Sequence, residues 1–319
     1  MWPFSPSIDF VPDRDIADLT GKVILVTGGF DANVLNTGIG KETVLQLAKH
    51  GPRKLFLAAR TQSKAEEAIA DIRSAIAPKT VDIEYLPLDL SSLASVKAAA
   101  ERVKERDSRL DLLILNAGIM AVPPGKTNEG FEIQLGTNHV GHALLTKLLL
   151  PTLEKTAAEQ NPDGRIVVVA SNGYTFAPNI DTILSTEKLC ETGPWTRYGA
   201  SKAANILFAA ELARRYPSLT SVSLHPGTIQ TDLYLPNKRN SFVLRWFLSI
   251  FGPLLFQPPQ FGALTQLYLA SGAKKDQLKN GGFYTPVGVL DKDNKWANEK
   301  TWAKALWEWT DDQLKSKGY

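Results

Sequence analysis

Tyr198 and Lys202 stand four positions apart in the run YGASK, so on a helix a phenol and an ammonium share one face, about a turn apart. A phenol with an ordinary pKa of about 10 is a poor base at neutral pH, and nearby positive charge favours its phenolate. Lowering that pKa by about three units takes roughly 4 kcal/mol of differential stabilisation, within reach of two cations in a partly desolvated cleft. The pair is a candidate proton-transfer centre. The plainer reading is an amphipathic helix with a packed tyrosine and a solvated lysine. Ser171 favours the first, because the apolar run Arg165–Ala170 reads as a strand and delivers a hydroxyl at its carboxyl edge, where ligands bind in open α/β sheets.

A second group of residues suits a dinucleotide. The run KVILVT leads into Gly28-Gly29, and Gly38-Ile39-Gly40 opens a helical pattern from Lys41. A glycine-rich turn of this kind lets backbone approach a pyrophosphate and aims helix N–H groups at its charge, although such turns also serve purely structural ends. Arg60 follows the run LFLAA, where an NAD site would carry a carboxylate for the ribose 2′-hydroxyl. A guanidinium pairs with a 2′-phosphate that a carboxylate would repel, and Lys64 adds positive charge one turn on, so NADP(H) is favoured over NAD(H). The alternative is that both are solvated residues at a helix start. Asp89 closes the third strand, either as the acceptor of an adenine amino group or as a cap for the helix beginning near Ser92. Asn116-Ala117-Gly118 follows the fourth strand, small residues that admit a cofactor and an amide that can tie neighbouring strands.

Periodicity supplies the elements that must hold these groups. Candidate strands are Lys22–Thr27, Lys54–Ala59, Val81–Leu86, Leu112–Leu115, Arg165–Ala170, Ser221–Leu224 and Gly282–Thr285. Helical patterns lie between them over Gly40–Lys49, Ser63–Ala75, Ser92–Glu105, Glu129–Leu149, Tyr198–Arg215 and Phe261–Ala270. This alternation specifies one α/β domain, a doubly wound Rossmann sheet of seven mostly parallel strands with helices on both faces. The domain spans residues 20–319, with residues 1–19 as a tail lying on it. Trp302, Leu306 and Trp309 mark the docking face of a C-terminal helix over about 296–316.

Composition excludes several classes. Thirty-six Lys and Arg against 33 Asp and Glu give a net charge of +3, and without a block of like charge a nucleic-acid partner is not expected. The single Cys190 rules out an internal disulfide framework and a Cys-rich zinc site, and fits a reducing, cytoplasmic setting. His139 and His142 lack a carboxylate or thiol to complete a metal site, so no metal is expected. The N-terminus has neither a basic region nor a continuous apolar run, so it reads as neither signal peptide nor anchor. The most apolar stretch, Phe242–Phe256, is interrupted by Arg245, Ser249, Gly252 and Pro253 and is too short to span a bilayer.

In chain order, Thr27-Gly28, Gly38-Ile39-Gly40, Asp89, Asn116-Ala117-Gly118, Asn138, Ser171, Tyr198-x-x-x-Lys202 and Pro226-Gly227-x-x-x-Thr231 resemble the short-chain dehydrogenase/reductase family. The likeness extends over about residues 20–285. Within it, the long Ser171-to-Tyr198 segment and the run YGASKAANILFAAELARR look like the branch of retinol dehydrogenases and WW-domain oxidoreductases. The resemblance implies an enzyme that uses NAD(P) to interconvert an alcohol with a ketone or aldehyde, often on lipophilic molecules, including intermediates of secondary metabolism. It makes Tyr198 the general acid/base and has Ser171 bond the reacting oxygen. Lys202 would hold the nicotinamide ribose and lower the Tyr198 pKa, and Asn138 would position a water that relays protons from Lys202. Thr228 and Thr231 would border the nicotinamide.

Two departures bear on function. Phe30–Leu35 are inserted into the glycine turn, which reads as a bulge that leaves Gly38 and Gly40 in place, as a gene-model artefact, or as a weakened cofactor site. The rival function is therefore a cofactor-binding sensor or scaffold with little turnover. Leu233–Pro259, rich in Phe, Leu, Trp and Pro, reads as an apolar lid over a small apolar alcohol or carbonyl substrate. Its competing use is a peripheral membrane contact. A monomer and a homodimer both fit the sequence.

Overall fold

Five apolar or β-branched residues, VILVT, are buried along their whole length in β1 (Val23–Thr27), as a strand covered on both faces requires. The structure, a computed structural model, describes residues 7–28, 38–159, 163–227 and 257–319. Beyond β1 the strands are β2 (Lys54–Ala59), β3 (Asp82–Pro87), β4 (Leu112–Leu115), β5 (Arg165–Val169), β6 (Thr220–Leu224), β7 (Phe283–Thr285) and β8 (Val289–Leu290). They form one sheet in the order β3-β2-β1-β4-β5-β6-β7-β8. The first seven are parallel and β8 runs antiparallel to β7. The expected seven strands thus gain an eighth, whose two residues are too few to carry a periodic signal.

Alternate residues of β1 feed two cores. Ile24 and Val26 face one side, with Val44, Leu47, Ile69 and Leu267 from helices packed there. Val23 and Leu25 face the other, with Val96, Leu145, Phe208 and Trp307. The sheet is therefore sandwiched, and its crossovers diverge after β1: one run continues to β2 and β3, the other to β4 and beyond. That divergence opens a crevice at the carboxyl ends of β1 and β4, where doubly wound sheets bind ligands.

Two helices differ from expectation in ways that matter to the site. The pattern over Glu129–Leu149 does not become one helix. Glu132 caps a short turn Ile133–Leu135, accepting from the N–H groups of Gln134 and Leu135 at 3.0 and 2.8 Å. A π turn, Gly136–Val140, follows, and the helix proper runs Gly141–Glu159. The helix carrying Tyr198 begins earlier than that tyrosine, at Pro194, after Gly193. Proline favours this first position because its missing N–H has no partner to lose.

The first and last described segments pack onto the domain. Phe10, Ile16 and Leu19 are buried, with Phe10 edge-on to Tyr268 at 5.6 Å. The last helix, Lys300–Ser316, buries Leu306, Trp307 and Leu314. Its main anchor is Trp307, stacked on Phe208 at 5.7 Å, while Trp302 and Trp309 flank that face partly buried. No helix among the described residues is long and apolar enough to cross a membrane.

Candidate active site

At the crevice, backbone comes closer than any side chain would permit. Gly28 has a φ of +70°, and a Cβ there would lie 2.4 Å from the Ala117 Cβ. A Cβ on Gly40 would lie 2.1 Å from the Gly28 carbonyl oxygen and 2.9 Å from Asn116 Nδ2. Only glycine fits either place, so the two ends of the glycine turn close on each other. Gly38 precedes the helix Ile39–Ala48 as its cap. The Asn116 amide donates to the Thr27 carbonyl at 3.0 Å and so ties β4 to β1. A bare backbone cradle at a helix start suits a dinucleotide pyrophosphate. The inserted Phe30–Leu35, Thr228, Thr231 and nearly all of the expected lid lie outside the described residues.

Arg60 is exposed immediately after β2, and Lys64 lies partly buried in the first turn of the helix Gln62–Ile76. Asp89 does not cap the next helix. Its Oδ1 accepts from the N–H and hydroxyl of Ser91 at 2.9 and 2.7 Å, and the cap of Leu93–Arg106 is Ser92.

Tyr198 and Ser171 converge over Gly173. A methyl group on Gly173 would lie 2.6 Å from Tyr198 Cε1 and 3.3 Å from Ser171 Oγ. Ser171 Oγ accepts from the Gly173 N–H at 3.0 Å, so its own proton is left to donate elsewhere. Phe176 and Trp195 stand exposed beside the tyrosine, with Trp195 edge-on to it at 6.2 Å and Phe176 6.1 Å from Trp195.

Lys202, only 4% exposed, places Nζ 5.7 Å from the Tyr198 ring centre and donates to the Val169 carbonyl at 3.1 Å. Burial pushes its pKa down to about 8. A Cβ on Gly118 would meet Lys202 Nζ at 3.3 Å and Asn138 Oδ1 at 3.2 Å, so these two groups also converge. Asn138 sits in the π turn, a departure from helix that recurs at functional sites. Its amide donates to Ile119 O and Ser201 Oγ, both at 2.9 Å, and its Oδ1 accepts from Ile119 N at 2.8 Å. The four residues expected to act together thus come together from the turn after β5, the π turn and the Pro194–Arg215 helix.

Sequence reasoning missed the frame behind them. Arg197, 2% exposed, pairs with the fully buried Glu132 at 3.1 Å and donates to Thr192 O and Val122 O. Burial pushes the Glu132 carboxyl above its ordinary range, against the pull of its two N–H donors and the guanidinium. These partners are 65 positions apart, and nothing in either local run signals the pairing. His139 and His142 face different partners, Thr310 and Thr27. Among the described residues no cluster of His, Cys, Asp or Glu is placed to hold a metal.

The family model described as short chain dehydrogenase matches residues 22–240. The chain belongs to the short-chain dehydrogenase/reductase family. A short-chain dehydrogenase/reductase of Armillaria gallica is 38% identical over 316 residues, covering 98% of this chain and 96% of that protein. Human retinol dehydrogenase 11 is 37% identical over 298 residues, covering 93% and 86%. Among solved structures, an uncharacterised Mycobacterium paratuberculosis protein aligns with a TM-score of 0.71 at 30% identity, covering 96% of this chain and 97% of that one. The NADPH-bound carbonyl reductase of chicken fatty liver aligns at 0.59 and 25% identity, covering 85% and 99%. The chain is accordingly an oxidoreductase of the class acting on CH–OH groups of small molecules, in a family that binds NAD(P).

Two stability outcomes follow for this family member. Glu132→Ala leaves a buried guanidinium unpaired and should cost about 3–5 kcal/mol in urea unfolding, whereas Glu132→Gln, which keeps an acceptor for the Gln134 and Leu135 N–H groups, should cost less. Lys202 is penalised in the fold as an ammonium. That penalty is full below about pH 8 and is relieved as pH rises towards the unfolded lysine value. Lys202→Met should therefore stabilise the cofactor-free protein by about 1–3 kcal/mol at pH 7, a gain that vanishes near pH 10 in thermal unfolding.

Proposed function

We propose that the protein is an NADP(H)-dependent oxidoreductase that interconverts an alcohol with a ketone or aldehyde on a lipophilic small molecule, including substrates of secondary metabolism. The observation that carries this reading is the convergence of Tyr198 with Ser171 over Gly173 and of Lys202 with Asn138 at Gly118. The exposed Phe176 and Trp195 beside Tyr198 offer an apolar wall, and a relative of similar length is named for retinol, a lipophilic alcohol. Cys190 as the single cysteine supports a cytoplasmic setting.

When NADP(H) is bound, hydride passes between the nicotinamide and the substrate carbon. Gly28, Gly38, Ile39, Gly40 and Asn116 would hold the pyrophosphate side by backbone approach, and Arg60 with Lys64 would pair with the 2′-phosphate. Asp89, its Oδ1 held by Ser91, borders the adenine. In reduction the Tyr198 hydroxyl gives its proton to the developing alkoxide; in oxidation the phenolate takes it back. Ser171, with its acceptor side taken by Gly173, donates to the same oxygen and fixes its position. The Lys202 ammonium stabilises the phenolate and holds the nicotinamide ribose. Asn138 positions the water that returns protons from Lys202 to solvent.

Tyr198→Phe should lower turnover of apolar ketones by about 10²–10⁴-fold, with the NADPH dissociation constant changed by less than about threefold. Full activity in that variant refutes the base assignment, and tight NADPH binding with no oxidation on a broad carbonyl panel favours the sensor or scaffold. Arg60→Ala should weaken NADPH binding about 10–100-fold, the worth of a charged hydrogen-bonded pair, while NADH binding stays put. Equal losses for both cofactors contradict the NADP(H) preference.

A further inference from the structure

His142 is 1% exposed and lies in the first turn of the Gly141–Glu159 helix, directly after the π turn. Each ring nitrogen has one partner. Nδ1 is 3.0 Å from the Asn138 carbonyl oxygen and Nε2 is 2.9 Å from Thr27 Oγ1. A carbonyl can only accept, so Nδ1 carries the proton and Nε2 is the bare acceptor. The Thr27 hydroxyl must then donate to Nε2. Its lone pairs are left to accept the N–H groups of Asn116 and Ala117, at 3.1 and 3.2 Å. All four bonds fit this one assignment of protons. Burial, with the Lys202 charge also opposing protonation, pushes the imidazole pKa down to about 4, so the ring stays neutral at working pH.

The geometry points to His142 as a positioning residue: a single imidazole sets the spacing between the Thr27–Gly28 and Asn116–Ala117 turns, which receive the cofactor, and the π turn, which presents Asn138 beside Lys202. The two halves of the ring serve different ends. Nε2 orders the cofactor cradle through Thr27. Nδ1 holds the carbonyl of Asn138, whose side chain bonds Ile119 and Ser201. This inference rests on the oxidoreductase reading above.

Two substitutions separate the halves. In His142→Asn the side-chain amide reproduces the Nδ1 donor but does not reach Thr27; in His142→Gln the amide oxygen reaches Thr27 but the Asn138 carbonyl loses its side-chain donor. NADPH affinity is read by fluorescence titration, and kcat at saturating NADPH with an apolar ketone. His142→Asn should weaken NADPH about tenfold with kcat within threefold, and His142→Gln should lower kcat about tenfold with affinity within threefold. Thr27→Val, which removes the hydroxyl and keeps the bulk, should reproduce the affinity loss, and combining it with His142→Asn should add nothing further. Parallel losses of affinity and kcat in both variants, tracking thermal stability, would mean that His142 only fills the core. Additive losses with Thr27→Val overturn the inference equally. A wild type that binds NADPH but reduces no carbonyl defeats the oxidoreductase reading, and the affinity arm with Thr27→Val still decides the role of His142.

Discussion

A buried ammonium is costly to keep, and the candidate site is organised around one. Lys202 has exchanged water for the Val169 carbonyl and the neighbourhood of an aromatic ring, which replaces only part of the lost hydration. Its proton is loosely held, and its charge is poorly screened from the adjacent phenol. Around it, Asn138 is fixed by hydrogen bonds to Ile119 and Ser201, and Gly118 closes against both Asn138 and the ammonium. Asn205, also bonded to the Val169 carbonyl, fixes the acceptor on which the ammonium relies.

The segment after β4 is common to both halves of the site. On the cofactor side, Asn116 and Ala117 bond to Thr27. On the catalytic side, the Ala121 N–H donates to Gln134 Oε1, Gln134 Nε2 donates to Pro194 O, and Arg197 donates to Val122 O. The start of the Tyr198 helix is thus held against the same loop that floors the nucleotide crevice. Donor and acceptor ends of a hydride transfer must keep register to a fraction of an ångström, and one short loop supplies the common reference.

How much of this was legible in the sequence depended on distance along the chain. Strands such as Lys54–Ala59 and the i, i+4 pair of Tyr198 and Lys202 carry their signal locally, and fold and family followed from such runs. The π turn did not, because Glu129–Leu149 has a helical pattern throughout and only the packing of Gly136 and the cap at Glu132 breaks it. Glu132 with Arg197 and Thr27 with His142 lie far apart in sequence, and a buried charge reads locally like a solvated one. His139 and His142 invited a metal by spacing alone. Their neighbours, a threonine for each and a carbonyl for His142, could be assigned only in three dimensions.

The contact between Gly28 and Gly40 carries an implication about how such a chain can vary. Closing a segment between two points costs free energy that grows only with the logarithm of its length, about 0.6 kcal/mol for each doubling. Where the endpoints are clamped by backbone contacts independent of what joins them, extra residues are cheap to accept. The position of greatest departure from the family pattern is therefore also one of the least expensive places to lengthen this chain. Length can change between those two points while the Gly28–Gly40 contact itself stays the same.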